Sequence, residues 1–315
     1  MITEIIKQID GGQRFLVCAH SSPDGDAIGS TLGLMLGLEK LGKEVVAYNA
    51  DGVPDTLRFL PGADRLVTDL SDQPAFDCVF VLDAGDLKRT IDPVAERAPV
   101  LVNIDHHPGS TFGTICYLDV TAAATAVMIY RLFKACNLTL DTDIALALYT
   151  GLLSDTGSFR YSNSNAEAFA VGGELVAFGI NPWDVASALY ESQPPERMKL
   201  LSLVLATLHI STDHKYASVA MSLDMLQEAG ALPEHSESFV NYPRAISGVE
   251  VAVFFRQVDP TKVKLSFRSR GRIDVSCLAN QLGGGGHKNA AGGEMSGSLE
   301  SVVPQVHSLL ETLLN

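Results

Sequence analysis

Residues 14–48 read RFLVCAHSSPDGDAIGSTLGLMLGLEKLGKEVVAY, and the kind of fold turns on this stretch. An apolar run, Arg14–Ala19, stops at a turn rich in Pro, Gly and Asp. A helical stretch, Ala27–Leu41, follows, and Glu44–Tyr48 returns to β-branched and apolar residues. Strand, crossover, strand is the repeating unit of a parallel sheet, whose neighbouring strands need a long connection packed on the sheet face. Cys78–Leu82 and Val100–Ile104 repeat the strand pattern, with helical or loop segments such as Asp55–Leu60 and Asp86–Arg97 between them. Ala122–Ala135, Ile144–Leu153 and Ala166–Phe178 carry apolar residues at the i, i+3, i+4 spacing of helices. The expected fold class is α/β, with an N-terminal doubly wound, mainly parallel sheet.

From about Asn181 the texture changes. NPWDVASALYESQPPERMKLLSLVLATL reads as helix, Pro-Pro break, helix. It marks residues 186–205 as a helical linker between a first domain, 1–185, and a second, 206–315. In the second, Tyr216–Met221, Val249–Val258 and Val263–Arg268 have strand character, Ile273–Leu282 and Leu299–Leu313 helical character. A glycine-rich loop, Gly283–Gly286, interrupts them, and the whole is a smaller α+β domain.

Composition bounds the function. With 46% hydrophobic and 19% charged residues, 315 residues bury a real core and suffice for two domains. The N-terminus carries acids where a secretory signal needs basic and apolar residues, and no apolar run approaches the ~18 residues of a membrane span. Five scattered cysteines suit reduced thiols in a cytoplasmic protein, not a disulfide frame. The net charge of −14 is uneven: residues 1–189 hold 12 Lys and Arg against 24 Asp and Glu, residues 190–315 hold 11 against 13. No broad basic stripe is available for long duplex nucleic acid. Small phosphorylated partners fit if cations and a few arginines supply local positive charge.

Three expected strands end in acids or histidines. The first runs into His20, Asp24 and Asp26, another into Asp83, and a later one into Asp105, His106 and His107. In a doubly wound sheet the carboxyl ends of the strands line one crevice, so residues far apart in sequence arrive at one place. One Asp after a strand is commonly a helix cap or turn former; their joint arrival with histidines points to cations. His and Asp without Cys suit Mn²⁺, with Mg²⁺ as the alternative. Two ions roughly 3.5–4 Å apart can activate water and stabilise the attacking and leaving oxygens of phosphoryl transfer. In the second domain Arg268 and Arg270 precede Gly283–Gly286 and His287, an arrangement suited to holding a phosphate; Ser269 between them points the other way on a strand. Aromatic platforms for base stacking are not identifiable.

HSSPDGDAIGS at His20–Ser30, the isolated Asp83, DHH at Asp105–His107 and SDTGSF at Ser154–Phe159 together resemble the DHH phosphoesterase superfamily. RSRG and GGGGHKNAAG resemble the DHHA1 domain that accompanies one branch of it. The resemblance implies two divalent cations: one held by His20, Asp24 and Asp83, the second by Asp26, Asp83, His106 and Asp155. It further implies that His107 faces the substrate and that Asp105 orients it. Arg268, Ser269, Arg270, Gly284, Gly285, Gly286 and His287, with Arg160, become the substrate-binding candidates. A compact two-domain chain of this length is similar to the NrnA-type enzymes, which act on very short RNA and in many cases on 3′-phosphoadenosine 5′-phosphate. A phosphodiesterase of cyclic or linear dinucleotides and a RecJ-like single-strand exonuclease are the alternatives. The oligomeric state is left open, a homodimer included.

Overall fold

A computed structural model describes residues 1–314 except Asp92, and for His287 the backbone. The chain divides into two compact units, Met1–Ser192 and Gln193–Asn315.

In the first unit, helix α1 (Ile2–Gly11) precedes β1 (Arg14–Ala19), α2 (Gly25–Lys40), β2 (Glu44–Tyr48), β3 (Cys78–Leu82), β4 (Val100–Asp105) and β5 (Ile115–Leu118). Helices α3 (Thr125–Ala135), α4 (Thr142–Asp155), α5 (Ala166–Val176) and α6 (Pro182–Tyr190) follow. The five strands form a parallel sheet in the order β2-β1-β3-β4-β5. Alternate strand residues face opposite cores: Phe15, Val17, Phe80 and Leu82 lie in the helical layer, Leu16, Cys18, Val79 and Val81 in the other. Burial on both faces explains why these strands read as unbroken apolar runs. On the second face the 3₁₀ turns Leu87–Thr90 and Val94–Arg97 stand where crossover helices would be, while Asp55–Leu57 and Ala63–Arg65 pack against α2.

The second unit opens with α7 (Pro195–Leu205), β6 (His209–Ile210), β7 (Tyr216–Met221), α8 (Leu223–Ala229) and α9 (Asn241–Arg244). It continues with β8 (Val251–Asp259), β9 (Lys262–Ser269), α10 (Val275–Gln281), β10 (Gly285–His287), β11 (Ala290–Ser296) and α11 (Leu299–Leu314). Its sheet has the order β10-β11-β9-β8-β7-β6, with β7 and β8 parallel and the remaining pairs antiparallel. One core gathers α10 and α11 residues such as Leu278 and Val306, the other Leu200 and Val204 of α7. The stretch expected as a linker is therefore shared, α6 lying in the first unit and α7 in the second.

Helices α2 and α4 pack backbone to backbone. Gly25, Gly29 and Gly33 recur every four residues, one face of a helix, and added Cβ atoms there would meet the Ser154 side chain at 2.5 Å, Ala147 O at 2.5 Å and Leu148 Cδ2 at 2.7 Å. At Gly29 the obstacle is main chain, which cannot swing aside. Gly29→Ala adds about 1 kcal/mol of helix propensity but overpacks the interface at about 1–3 kcal/mol. We expect net destabilisation in thermal melts, together with weaker divalent-cation binding. A variant that melts higher and binds cations normally would refute the close-packing constraint.

Candidate active site at the carboxyl edge of the first sheet

Strands β1, β3 and β4 are adjacent, and their ends deliver His20, Asp83 and Asp105 side by side. Asp83 sits just past β3 at φ +56°, a left-handed conformation that Asp tolerates better than most residues and that turns the chain sharply. After β1, Asp24 caps α2, its Oδ1 accepting from the backbone N–H groups of Asp26 and Ala27 at 3.0 Å each. Asp26, one turn further in, is almost wholly buried. The amino end of α3 grips it: Thr125 N–H donates to Oδ2 at 2.6 Å and Ala126 N–H to Oδ1 at 2.9 Å, joined by Ser30 Oγ at 3.0 Å. A helix N-terminus suits a buried carboxylate because its orphan N–H groups and dipole both favour negative charge. Asp155 closes α4, and the tight α2–α4 packing places it beside Asp26.

Potential metal-binding atoms converge in three sets, within each of which they lie no more than 4.8 Å apart: His20, Asp24 and Asp83; Asp26, His106 and Asp155; and Asp83, His106 and His107. His20 Nδ1 lies 2.8 Å from Ser21 O, and His106 Nδ1 lies 3.2 Å from Ala122 O. A carbonyl only accepts, so each Nδ1 carries a hydrogen, and each ring turns its Nε2 toward the carboxylates. Nε2 of His20 is 3.7 Å from Asp83 Oδ2; Nε2 of His106 is 3.4 Å from Asp83 Oδ1 and 3.8 Å from Asp155 Oδ2. Lone pairs facing lone pairs repel unless a cation or a proton stands between them. This donor set fits divalent cations.

The titration behaviour has the same origin. Burial, and then the charge of Asp26, pushes the Asp83 carboxyl up to about 8; burial and Asp26 push Asp155 up to about 7. Burial alone would lower His106, but its hydrogen bond with Asp83 and the charge of Asp26 outweigh that and raise it to about 10. Burial lowers His20. Asp105 goes the other way. Burial disfavours its charge, yet it accepts from the His107 ring at 2.8 Å, His107 N–H at 2.8 Å and Gly85 N–H at 2.6 Å, and falls to about 2. The partnership with Asp105 raises His107.

Several residues that shape this site do not stand out in the sequence. Thr125 donates its hydroxyl to Asp83 Oδ1 at 3.0 Å. Asn163 donates to Asp155 Oδ2 at 3.0 Å, and Asn49 to the carbonyl of His20 at 2.8 Å. Arg89 donates to Ala84 O at 3.1 Å, beside Gly85 and His107. Past Asp155, Gly157, Ser158 and Phe159 are all left-handed, at φ +55°, +61° and +60°. Non-glycine residues in that conformation cost on the order of 1–2 kcal/mol each. Here they turn the chain back, so that the N–H groups of Arg160 and Tyr161 both reach Thr156 O at 3.0 Å. Arg160 Nε donates to Gly157 O at 2.6 Å.

The second unit departs from expectation at two points. The glycine run is only partly a loop: Gly285–His287 form the edge strand β10, pairing with β11. A Cβ at Gly284 would lie 2.0 Å from Gly292 O, and one at Gly286 2.5 Å from Ala291 Cα, so these glycines permit close strand approach. Arg268 and Arg270, expected to hold a phosphate, both make contacts within the second unit. Arg270 donates to the carbonyls of Arg244, Ala245 and Ile246 at 3.1–3.4 Å, capping the end of α9. Arg268 remains on β9 with Nη1 at 3.0 Å from Phe267 O. Ser269 is buried, its hydroxyl near Lys288 O and Asn289 Oδ1. The side chain of His287 lies outside the described residues.

Comparison with known proteins agrees with this architecture. A profile of the DHH family, N-terminal domain, matches residues 14–152, and a profile of the DHHA1 domain matches residues 214–315. The chain is 34% identical over 298 residues to a bifunctional oligoribonuclease and PAP phosphatase of Thermus thermophilus, covering 94% of this chain and 88% of that one. It is 29% identical over 299 residues to the protein of the same description from Bacillus subtilis, covering 93% and 92%. The crystal structure of an exopolyphosphatase-related protein from Bacteroides fragilis superposes with a TM-score of 0.92 at 30% identity, covering 99% of this chain and 95% of that one. The chain belongs to the DHH family and carries a DHHA1 domain.

Two predictions follow from the geometry. Folding makes Asp83 and Asp155 bind protons more tightly than their ordinary value of 3.8, so stability without cations falls as pH rises from about 4 through 7–8. His106, held protonated up to about 10, extends the fall above 6.5, while the lowered His20 opposes it near 6.5. Chelator-treated protein should melt lower at pH 9 than at pH 6, and Mn²⁺ should stabilise it more at the higher pH. A melting temperature that rises over that interval contradicts the crowding of these carboxyls.

Arg270→Ala should lower stability by about 1 kcal/mol through loss of the α9 cap. A denaturation midpoint unchanged from wild type would show that the α9 contact carries no stability.

Proposed function

We propose that the chain is a divalent-cation-dependent phosphoesterase that hydrolyses very short RNA oligonucleotides to mononucleotides and also dephosphorylates 3′-phosphoadenosine 5′-phosphate. The observation that carries the reading is the convergence at Asp83, which shares one donor set with His20 and Asp24 and another with His106 and His107. The activity named for the Thermus and Bacillus relatives supports the choice of substrate. His20, Asp24 and Asp83 would hold one cation; Asp26, Asp83, His106 and Asp155 the other, with Mn²⁺ favoured over Mg²⁺ by the imidazole donors. When bound, such a pair supplies the charge that activates water and stabilises both oxygens of the displacement.

The chain's own residues do the rest. The α3 N–H groups hold Asp26 in one orientation, and Thr125 does the same for Asp83. Asp105 holds the His107 ring through Nδ1, in which orientation Nε2 would hold and release a proton at the leaving oxygen. Burial of Asp26, Asp83 and Asp105 keeps bulk water from solvating the carboxylates. Arg160 in the first unit is a candidate substrate contact, and Arg268, Ser269, Gly284–Gly286 and His287 are candidates for phosphate binding by the second unit. All five cysteines are free thiols, which suits an enzyme of the cytoplasm. No helix among the described residues is long and apolar enough to cross a membrane.

Substrate length is the discriminating measurement. With twice as many acids as bases over residues 1–189, each phosphate beyond the first few meets repulsion and no basic track. In a time course with Mn²⁺ on labelled RNAs of graded length, turnover on oligomers of about 2–5 nucleotides should exceed that on a ~20-mer severalfold. Asp83→Ala, or a chelator, should abolish turnover on every length. If the long RNA is degraded as fast as the dinucleotide, the RecJ-like reading replaces this one; retained turnover in Asp83→Ala removes the bridging role.

A further inference from the structure

The first unit is acidic, yet a guanidinium stands at the rim of its carboxylate–histidine cluster. Arg89 lies on the 3₁₀ turn Leu87–Thr90 that follows β3, and it is exposed. Its carbonyl accepts from Ser21 N–H at 2.6 Å, which ties the turn to the residue after His20. Its Nη1 donates to Ala84 O at 3.1 Å, one residue past Asp83. The point where a Cβ on Gly85 would sit lies 3.6 Å from Arg89 Nη1 and 3.8 Å from Cβ and Cγ of His107, so guanidinium and imidazole border one small space. Burial lowers the proton affinity of His20, and the charge of Arg89 lowers it further.

An arginine kept only for the fold would satisfy a carbonyl that lacks another donor. Ala84 O already accepts from Asp86 N–H at 2.7 Å, so the turn closes without the guanidinium. The bond to Ala84 takes one of the five N–H donors of the planar group. The turn is also costly to make. It ends at Ile91, a β-branched residue held at φ +66° with its side chain mostly in solvent. Strain of this kind gathers at active sites and ligand clamps.

The balance of charge at the cluster leaves a place for one more cation. Asp24, Asp26, Asp83 and Asp155 would offset two divalent ions, and Asp105 is already partnered by His107. A phosphate entering that neutral arrangement brings negative charge that the ligands do not meet. Arg89 supplies positive charge at the edge, on a fork of N–H groups whose spacing matches phosphate oxygens.

We propose that Arg89 binds the reacting phosphate, its guanidinium donating to a non-bridging oxygen on the side of His107. The proposal rests on the phosphoesterase reading above and adds to it a substrate contact in the first unit. The reacting phosphate is common to every substrate, so Arg89 serves all of them alike. A contact further out would serve only substrates long enough to reach it.

The test uses the Mn²⁺-loaded full chain as wild type, Arg89→Lys, Arg89→Gln and Arg89→Ala. Calorimetry measures binding of Mn²⁺ and then of inorganic phosphate, and turnover is followed on bis(p-nitrophenyl) phosphate and on a diribonucleotide. Arg89→Gln and Arg89→Ala should bind phosphate about tenfold or more weakly than wild type, the loss of a charge-assisted hydrogen bond, with Arg89→Lys between. kcat/KM should fall by the same factor on both substrates. Removing a positive charge from the rim cannot weaken the attraction for Mn²⁺, so Mn²⁺ affinity should stay at or above the wild-type value and melting temperatures should match. The proposal fails if wild type with Mn²⁺ does not bind phosphate, if Arg89→Gln binds it as wild type does, or if only the diribonucleotide is affected. It fails too if Mn²⁺ binding or melting temperature drops together with phosphate binding, the mark of a residue that props up the ligands. A wild type that binds phosphate and cleaves bis(p-nitrophenyl) phosphate but spares the diribonucleotide would overturn RNA as the substrate and leave Arg89 in its role.

Discussion

The separation of helices α2 and α4 is the quantity on which the candidate site depends. Asp26 lies at the start of one helix and Asp155 at the end of the other, so the distance between their carboxylates is the distance between two backbones. Glycines every four residues along α2, with Gly151 facing back from α4, remove the side chains that would hold those backbones apart. Apolar residues at the same positions would bury more surface and make an ordinary helix pair. They would also separate two carboxylates that must share one small volume. Stability is given up along this seam so that charge can be concentrated at its end.

That concentration is unfavourable in the protein alone, and the surrounding structure shows how it is contained. Asp26 is met by N–H groups of α3, Asp105 by three N–H donors, and Asp83 by a hydroxyl. What the hydrogen bonds leave uncompensated appears as carboxyls that resist ionisation and a histidine that resists losing its proton. Protons thus occupy the role that cations take when present, and the two compete for the same lone pairs.

Strands β1–β4 and β7–β9, the strand-end residues His20, Asp83 and Asp105–His107, and most of the helices were legible in the sequence, whereas β5, β6 and β11 were not anticipated. Each rests on a local pattern: an apolar run, then a polar residue in a turn. What was not legible depends on residues meeting from a distance. Thr125 is an unremarkable threonine until α3 points its amino end at Asp26 and Asp83. The same event delays the start of α3 to Thr125, three residues after the apolar pattern begins at Ala122. Nothing local to Arg270 reveals that α9 ends beneath it. The glycines before His287 read as a loop because a strand that pairs only through its backbone carries no side-chain pattern.

The grip on Asp26 has a consequence for the choice of ion. Both of its oxygens are pinned, one by Thr125 N–H and the other by Ala126 N–H and Ser30 Oγ. A carboxylate held in this way can offer a cation one remaining lone pair, but it cannot rotate to clasp the cation with both oxygens. Calcium fills a shell of about six to eight oxygens partly through such two-handed carboxylates, whereas smaller ions are content with single contacts at shorter range. With Asp26 as a ligand, as proposed, the amino end of α3 would act as a gauge of ionic radius, fixed in the backbone before any ion arrives.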